Sequence, residues 1–310
     1  RSQGELFDKS EIEVLGDRRK KRLQKLPIEV LFIDRFIQLT KPGGHIAIIV
    51  PDGILSNSNL HYVREFIAEN VKVDAIVSLP RDTFKNVGTS AKTSILFMTK
   101  PLDGKIKSLD YPVFLATVQN LEGLTKVYEL YCRYRKEGNL MNPIPEKVLV
   151  VKDSAGNEAV TIRVDKTARD MMEAKPSGRW GGEYWEPKYD FIYETFRKGN
   201  YETIELGNDI SHITDGNRGE RLFSREKKNV IYIQATNMVE TGLDFTHSIA
   251  YIDKKSWLDP ARSRVKINDI LLGERGVAST GRVVVIHKDY GLMNISQIIA
   301  LIRLKSLNSY

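Results

Sequence analysis

Two residues, Asp52 and Phe84, stand where their types could do chemistry. Asp52 follows the apolar run Ile46, Ala47, Ile48, Ile49, Val50 and sits in the backbone break Pro51-Asp52-Gly53. In open α/β sheets ligands bind outside the carboxyl ends of strands, so Pro51 and Asp52 would face such a cleft. The carboxylate either bonds a ligand there or caps the turn that follows. Phe84 lies in DTFKN, on a loop between two strands, where an aromatic ring is hard to bury. Arg81, Lys85 and Lys92 flank it, cations suited to phosphate oxygens. A further basic segment, 17–25, carries six Lys or Arg in nine residues. It is either a solvated helix face or flexible loop, or a phosphate-contacting segment that gains by releasing counterions from DNA.

Other chemistries find fewer residues. His45, His61, His212, His247 and His287 are scattered without ligand spacing, so no metal site is expected. Between Gly276 and Gly281 the sequence suggests a phosphate loop. Arg282 stands where Lys and Ser/Thr would be required, and a strand follows in place of a helix. A metal-dependent nuclease needs clustered carboxylates with a lysine. Glu173-Ala174-Lys175 and Asp253-Lys254-Lys255 have the local spacing and no partner carboxylate.

Length and charge set the frame. The chain has 310 residues, 41% of them hydrophobic, enough for two domains or three. Its net charge of +7 favours a polyanionic partner. No apolar run approaches a transmembrane helix and no charged-then-apolar leader is present, so no membrane and a reducing, cytoplasmic setting are expected. Cys132, the single cysteine, excludes an intramolecular disulfide and is expected on the apolar face of a helix.

Periodicity supplies the elements that must position Asp52 and Phe84. Val30, Leu31, Ile33, Phe36, Ile37 and Leu39 recur at helical spacing, and Lys41-Pro42-Gly43-Gly44 ends that helix. The run 46–50 fits a strand buried on both faces of a mostly parallel sheet. A helix over about 59–70 follows, then strands VDAIVSLP and TSILFMTK, with the Phe84 loop between them. Two strands with no helix between them imply an antiparallel pair. The stretch KIKSLDYPVFLATV is expected to add a strand, and 125–138 to be a helix ending at Gly138. GNLMNPIPEK reads as a linker, and VLVVKDSAGNEAVTIRV as a hairpin.

In order and spacing, LFIDRFIQLTKPGG, IAIIVPDGIL, VREFI, DAIVSLPRDTF and KTSILFMTK resemble the C-terminal half of the catalytic domain of amino-group DNA methyltransferases. The likeness is to the modification subunits of type I restriction systems and their single-chain, type IIG-like relatives. The resemblance implies S-adenosylmethionine as cofactor, double-stranded DNA as partner, and adenine over cytosine as target. It implies that Phe32 lies against the cofactor's adenine ring, the alternative being a buried helix residue. It also implies that Phe84 stacks on a base extruded from the duplex. The family's glycine-rich cofactor loop and its Asn/Asp-Pro-Pro-aromatic tetrapeptide have no match before Pro27. The chain is therefore expected to start in mid-domain, leaving one edge of strand 46–50 open unless another segment or chain covers it.

RWGGEYWEPKYD, YETIELGNDISHITDG, VIYIQATNM and INDILLGERGVASTGRVVVI resemble a target-recognition domain of restriction-modification specificity subunits. Its loops would read base edges in the major groove. The candidates are Arg218, Arg221, Gln234, Asn237, Arg275, Arg282 and Asn294. Asn294 and Gln297 have the alternative of bonding backbone within the fold. LKSLNSY follows what reads as a strand, so this domain is expected to be truncated.

The expected architecture is α/β: the C-terminal half of a Rossmann-like methyltransferase sheet over 1–120, a helix and hairpin connector over 121–180, and an α+β target-recognition domain over 181–310. The expected function is sequence-specific DNA recognition and adenine methylation within a restriction-modification system, this chain alone being inactive. The alternative is a non-catalytic specificity fragment that docks on other subunits or on the missing catalytic half.

Overall fold

The computed structural model describes residues 26–89, 91–138, 147–199, 204–216, 224, 226, 228–246, 248–254, 261–276 and 279–306. The basic segment 17–25, most of the linker, Arg218 and Arg221 lie outside the described residues. The chain forms two compact units, Arg1–Asn200 and Tyr201–Tyr310.

In the first unit, helix α1 (Ile28–Leu39) buries Val30, Leu31, Ile33 and Ile37. Gly43, at φ +77°, turns the chain into strand β1 (His45–Pro51), and its N–H donates to the Lys100 carbonyl at 2.8 Å. Helices α2 (Asp52–Ser56) and α3 (His61–Asn70) lead to β2 (Lys72–Ser78). The Phe84 loop leads to β3 (Thr93–Thr99), followed by β4 (Phe114–Val118). Helix α4 (Gly123–Glu137) ends as expected at Gly138, in the left-handed region. The hairpin β5 (Val148–Lys152) and β6 (Glu158–Arg163) then leads to α5 (Ala168–Glu173), a 3-10 turn Gly182–Trp185 and α6 (Pro187–Lys198).

These strands form one six-stranded sheet in the order β1-β3-β2-β4-β6-β5. Strand β3 returns antiparallel and inserts between β1 and β2, as the helix-free loop requires. Only β2 and β4 pair in parallel; the expectation of a mostly parallel sheet is corrected by two strand pairs that lack crossover helices. One sheet face packs against α1, α3, α5 and Trp180, and the other against α4. Burial on both faces belongs to β2 and β4, whose residues are buried from Val73 to Ser78 and from Phe114 to Val118.

Strand β1 departs from that pattern. Ile46 and Val50 are buried, whereas His45, Ala47 and Ile49 are exposed. The reason is its place: β1 is an edge strand bonded only to β3 among the described residues. The hairpin expected as a connector extends the same sheet through β6, and the compact division falls after Asn200. Cys132 is exposed, contrary to expectation. Val127, Leu130, Tyr131 and Tyr134 take the face of α4 toward the sheet, and Cys132 lies about 100° round from Tyr131.

In the described part of the second unit the regular structure is chiefly strand. Helix α7 (Leu206–Asp209) precedes β7 (Ile210–Asp215), β8 (Val230–Ile233), β9 (Met238–Val239), β10 (Gly242–Leu243) and β11 (Tyr251–Ile252). Strands β12 (Ile270–Gly273), β13 (Val283–Val285), β14 (Met293–Ile295) and β15 (Ile299–Leu304) follow. An antiparallel sheet β13-β12-β15-β7 lies beside a three-stranded sheet β11-β8-β14, with Ile233, Leu271, Ile295 and Leu301 in the shared core. The β12–β13 pair is an antiparallel hairpin punctuated by glycines. A Cβ on Gly273 would stand 2.0 Å from the Ser279 carbonyl oxygen, so the hairpin closes only over glycine.

Candidate active site at the carboxyl ends of β1, β2 and β4

Strands β1, β2 and β4 run in one direction, so their carboxyl ends gather at one rim of the sheet. Strand β3 starts at that rim, with Ser94 opposite both Val50 and Ser78. Ser78 and Ser94 are wholly buried, and they connect Asp52 to a distant segment. The Gly182 N–H donates to the Ser78 hydroxyl at 3.1 Å; the Ser78 and Ser94 hydroxyls are 3.3 Å apart; the Ser94 hydroxyl donates to Asp52 Oδ1 at 2.7 Å. The carboxylate end fixes the direction: the single Ser94 hydrogen goes to Asp52, so Ser94 accepts from Ser78, which in turn accepts from Gly182. Asp52 is the terminal acceptor.

Asp52 also donates its own N–H to the Lys92 carbonyl at 3.0 Å. Burial pushes its carboxyl above the usual range; the Ser94 bond and the charges of Lys92 and Arg81 oppose that shift, and Glu183 adds to it. A half-buried carboxyl of this kind can accept from an amine or hydroxyl of a ligand at the rim.

The Phe84 loop closes on itself. Thr83 donates to the Pro80 carbonyl through its hydroxyl at 2.7 Å, and the Phe84 carbonyl accepts from Val87 and Thr89 at 3.1 and 3.3 Å. The Phe84 side chain is half-buried, with Arg81 and Lys85 exposed beside it. Lys92 differs from expectation. Its side chain is only 9% exposed and its ammonium pairs with Glu183 at 2.6 Å, so it is a structural cation and not a phosphate contact. Phe32 is 43% exposed, which removes the reading of a buried helix residue. Its ring meets Phe36 edge-on at 6.2 Å on the exposed side of α1.

Sequence reasoning missed the segment that completes this rim. RWGGEYW, expected at the start of the second domain, packs on the first unit. Gly182 lies so close to the sheet that a Cβ there would meet the Ala116 carbonyl at 2.9 Å, Ser78 Oγ at 3.0 Å and Thr117 Oγ1 at 3.1 Å. Trp180 is fully buried and donates its backbone N–H to the Leu55 carbonyl at 3.0 Å. Arg64, also fully buried, donates to the carbonyls of Ile54 at 2.6 Å, Asn57 at 3.0 Å and Ser177 at 2.7 Å. Burial lowers its pKa to about 10, the charge of Arg179 adding and that of Glu65 opposing. On the far side Arg163 bonds Asp165, Asp190 and the Trp185 carbonyl, fixing the start of α6. Two signals were available: serines interrupting apolar strands, and paired glycines between tryptophans.

The second-unit candidates divide. Asn237 is 1% exposed; its carboxamide accepts from the Gln234 N–H at 2.9 Å and donates to the Asp244 and Ser248 carbonyls at 3.0 and 2.6 Å. It holds a turn and cannot read a base. The Gln234 side chain accepts from the Asn237 backbone in the same turn. Asn294 is fully buried and accepts from the Ile295 N–H at 2.8 Å, which selects its fold-internal alternative. Arg282 is exposed and gives one bond to the Met238 carbonyl at 2.7 Å. Arg275 and Gln297 are exposed. Among the described residues no group of three or more His, Cys, Asp or Glu could hold a metal, and no helix is long and apolar enough to cross a membrane.

Residues 17–121 match the family model described as N-6 DNA Methylase. No curated protein matches the chain. Among solved structures, the type IIG restriction endonuclease BpuSI is similar at 12% identity and TM-score 0.41, covering 96% of this chain and 39% of that one. A type I restriction-modification system is similar at 19% identity and TM-score 0.36, covering 58% and 38%. The M protein of the type I restriction enzyme EcoKI is similar at 22% identity and TM-score 0.26, covering 30% and 19%. The chain spans about two fifths of the length of the first two of these. Over 17–121, the stretch that carries α1, Asp52, the Phe84 loop and β4, this chain matches the N-6 DNA methylase family.

Proposed function

We propose that this chain recognises double-stranded DNA and takes part in methylating an adenine at its exocyclic amine, within a restriction-modification system. The observation that carries the reading is the Phe84 loop. It carries a half-buried aromatic ring flanked in sequence by two exposed cations, and it leaves and rejoins the sheet at the rim that holds the Asp52 carboxyl, inside the stretch that matches the methylase family. A base reaches such a rim only by leaving the duplex, and an aromatic face holds an unstacked base at about 1–3 kcal/mol. Phe84 would stack on the base, Arg81 and Lys85 would meet phosphates, and Asp52 would accept from a polar edge of the base.

S-adenosylmethionine would supply the methyl group. The exposed ring of Phe32 fits one part of that cofactor, offering a flat apolar face to its adenine. The second unit would serve as the recognition domain. Arg275 and Arg282 are its described candidates for base edges, and Arg218 and Arg221 come from sequence alone.

The second reading is a specificity module that docks on other subunits without catalysis. It is favoured by the edge of β1 that no strand pairs among the described residues, and by α6, where none of the twelve residues is buried although five are Tyr, Phe or Ile. Titrating the 310-residue chain with S-adenosylmethionine, and with random duplex DNA at two salt concentrations, separates the readings. Salt-sensitive DNA binding together with cofactor binding supports the catalytic reading. DNA binding without cofactor binding supports the module. Binding of neither would overturn both.

A further inference from the structure

The loop that carries Phe84 leaves the sheet at Ser78 and rejoins it after Lys92, and both of these stems are held by consecutive residues of one remote turn. The Gly182 N–H donates to the Ser78 hydroxyl at 3.1 Å, on the entering stem. The Glu183 carboxylate pairs with the Lys92 ammonium at 2.6 Å, on the leaving stem. The stems also meet directly, the Leu79 N–H donating to the Thr93 carbonyl at 3.0 Å and the Ser78 and Ser94 hydroxyls standing 3.3 Å apart, whereas the bonds within the described part of the loop stay local to residues 80–91.

The two contacts are unequal in kind. Gly182 sits against backbone and buried hydroxyls of β2 and β4, so its position is set by the sheet. The Lys92 side chain is 9% exposed, whereas the Glu183 side chain is 44% exposed. A nearly buried ammonium needs its partner, since an unpaired charge in that setting is costly. Glu183 therefore fixes the Lys92 side chain, adding to the backbone bonds that hold this stem, from the Asp52 N–H to the Lys92 carbonyl and from the Leu79 N–H to the Thr93 carbonyl, each at 3.0 Å. The turn is itself fixed from behind by the buried Trp180, by Arg64 through Ser177, and by Arg163 through Trp185.

We propose that Glu183 is a positioning residue for the Phe84 loop: through Lys92 it holds the loop in the geometry that stacks on an extruded base. This rests on the stacking role given to Phe84 above. A loop held in place before binding loses less conformational freedom on capture, which raises affinity for the unstacked base specifically.

The experiment measures the ratio of affinities of the 310-residue chain for a duplex with one mismatched adenine and for the same duplex fully paired. A mismatch lowers the cost of extrusion, so the ratio reports capture of the base. F84A should reduce the ratio about tenfold, the loss of one stacking contact. E183A should reduce it in the same direction, E183Q should keep part of it, and K92M should match E183A. The double variant E183A/K92M should lose no more than either alone, because the two act as one pair. Thermal midpoints and amide exchange identify a variant that has failed to fold, in which case E183Q and K92M decide. If F84A leaves the ratio unchanged, the stacking reading fails. If F84A lowers it while E183A and K92M do not, the stacking reading stands and Glu183 has no positioning role.

Discussion

Replacing Arg64 by methionine tests the packing that underlies the rim. The guanidinium donates to three carbonyls, at 2.6, 3.0 and 2.7 Å, from two separate stretches of chain. Hydrogen bonds to a charged donor contribute about 1.5–3 kcal/mol each, so their loss removes roughly 5–9 kcal/mol. Against this stands the cost of holding the charge away from water. The fall in pKa from 12.5 to about 10 corresponds to roughly 3 kcal/mol against the charged form, which methionine relieves. The net destabilisation is about 2–6 kcal/mol. For a unit of this size each kcal/mol moves the midpoint by about 2–4 °C. Urea unfolding followed by tryptophan emission reads the change, since Trp180 lies against Leu55 beside the same carbonyls. R64K keeps the charge without the forked donors and should fall between wild type and R64M. An R64M protein within about 0.5 kcal/mol of wild type would refute the claim that this arginine clamps segment 177–180 to the start of α2.

Four further outcomes follow from the same geometry. Because burial raises the folded-state pKa of Asp52, the folded chain binds more protons than the unfolded one just above pH 3.8. Its contribution to stability should therefore fall as pH rises through that window, and D52N should remove this slope in urea midpoints taken from pH 4 to 7. E183A should lower the Asp52 pKa and K92M should raise it, opposite shifts that carboxyl carbon resonances would show. Asp110 should titrate at about 2, because Arg169 and Ser108 bond its carboxylate; its stabilising effect is present above pH 3.8 and is lost toward pH 2, and R169Q should return it to the ordinary range. N237A should destabilise the second unit by about 2–4 kcal/mol in denaturant titrations, with no change in base preference.

Much of the first unit was legible because its signals are local. Helical spacing placed α1 and α3, Gly138 ended α4, and the lack of a helix between β2 and β3 fixed their antiparallel pairing. What the sequence hid depends on distant partners. Strand β1 is apolar from Ile46 to Val50, and its exposure on one face follows from its place at the edge of the sheet. In sequence Lys92 is one more loop cation; its pairing with Glu183, ninety-one residues on, is what sets it apart. Asn237 has the composition of a base reader and the surroundings of a buried turn residue, a distinction made by Asp244 and Ser248. The Trp-Gly-Gly-Glu-Tyr-Trp stretch (180–185) was assigned to the wrong unit because its complementarity is to strand ends far earlier in the chain.

The most direct measurement is photocrosslinking of the 310-residue chain to duplex DNA that carries 5-iodouracil at a mismatched, readily extruded position. A crosslink mapped by mass spectrometry to residues 81–89, and lost in F84A, is the expected result. Crosslinks that fall only outside that loop, with F84A indistinguishable from wild type, would contradict the assignment of this rim as the site that receives a base.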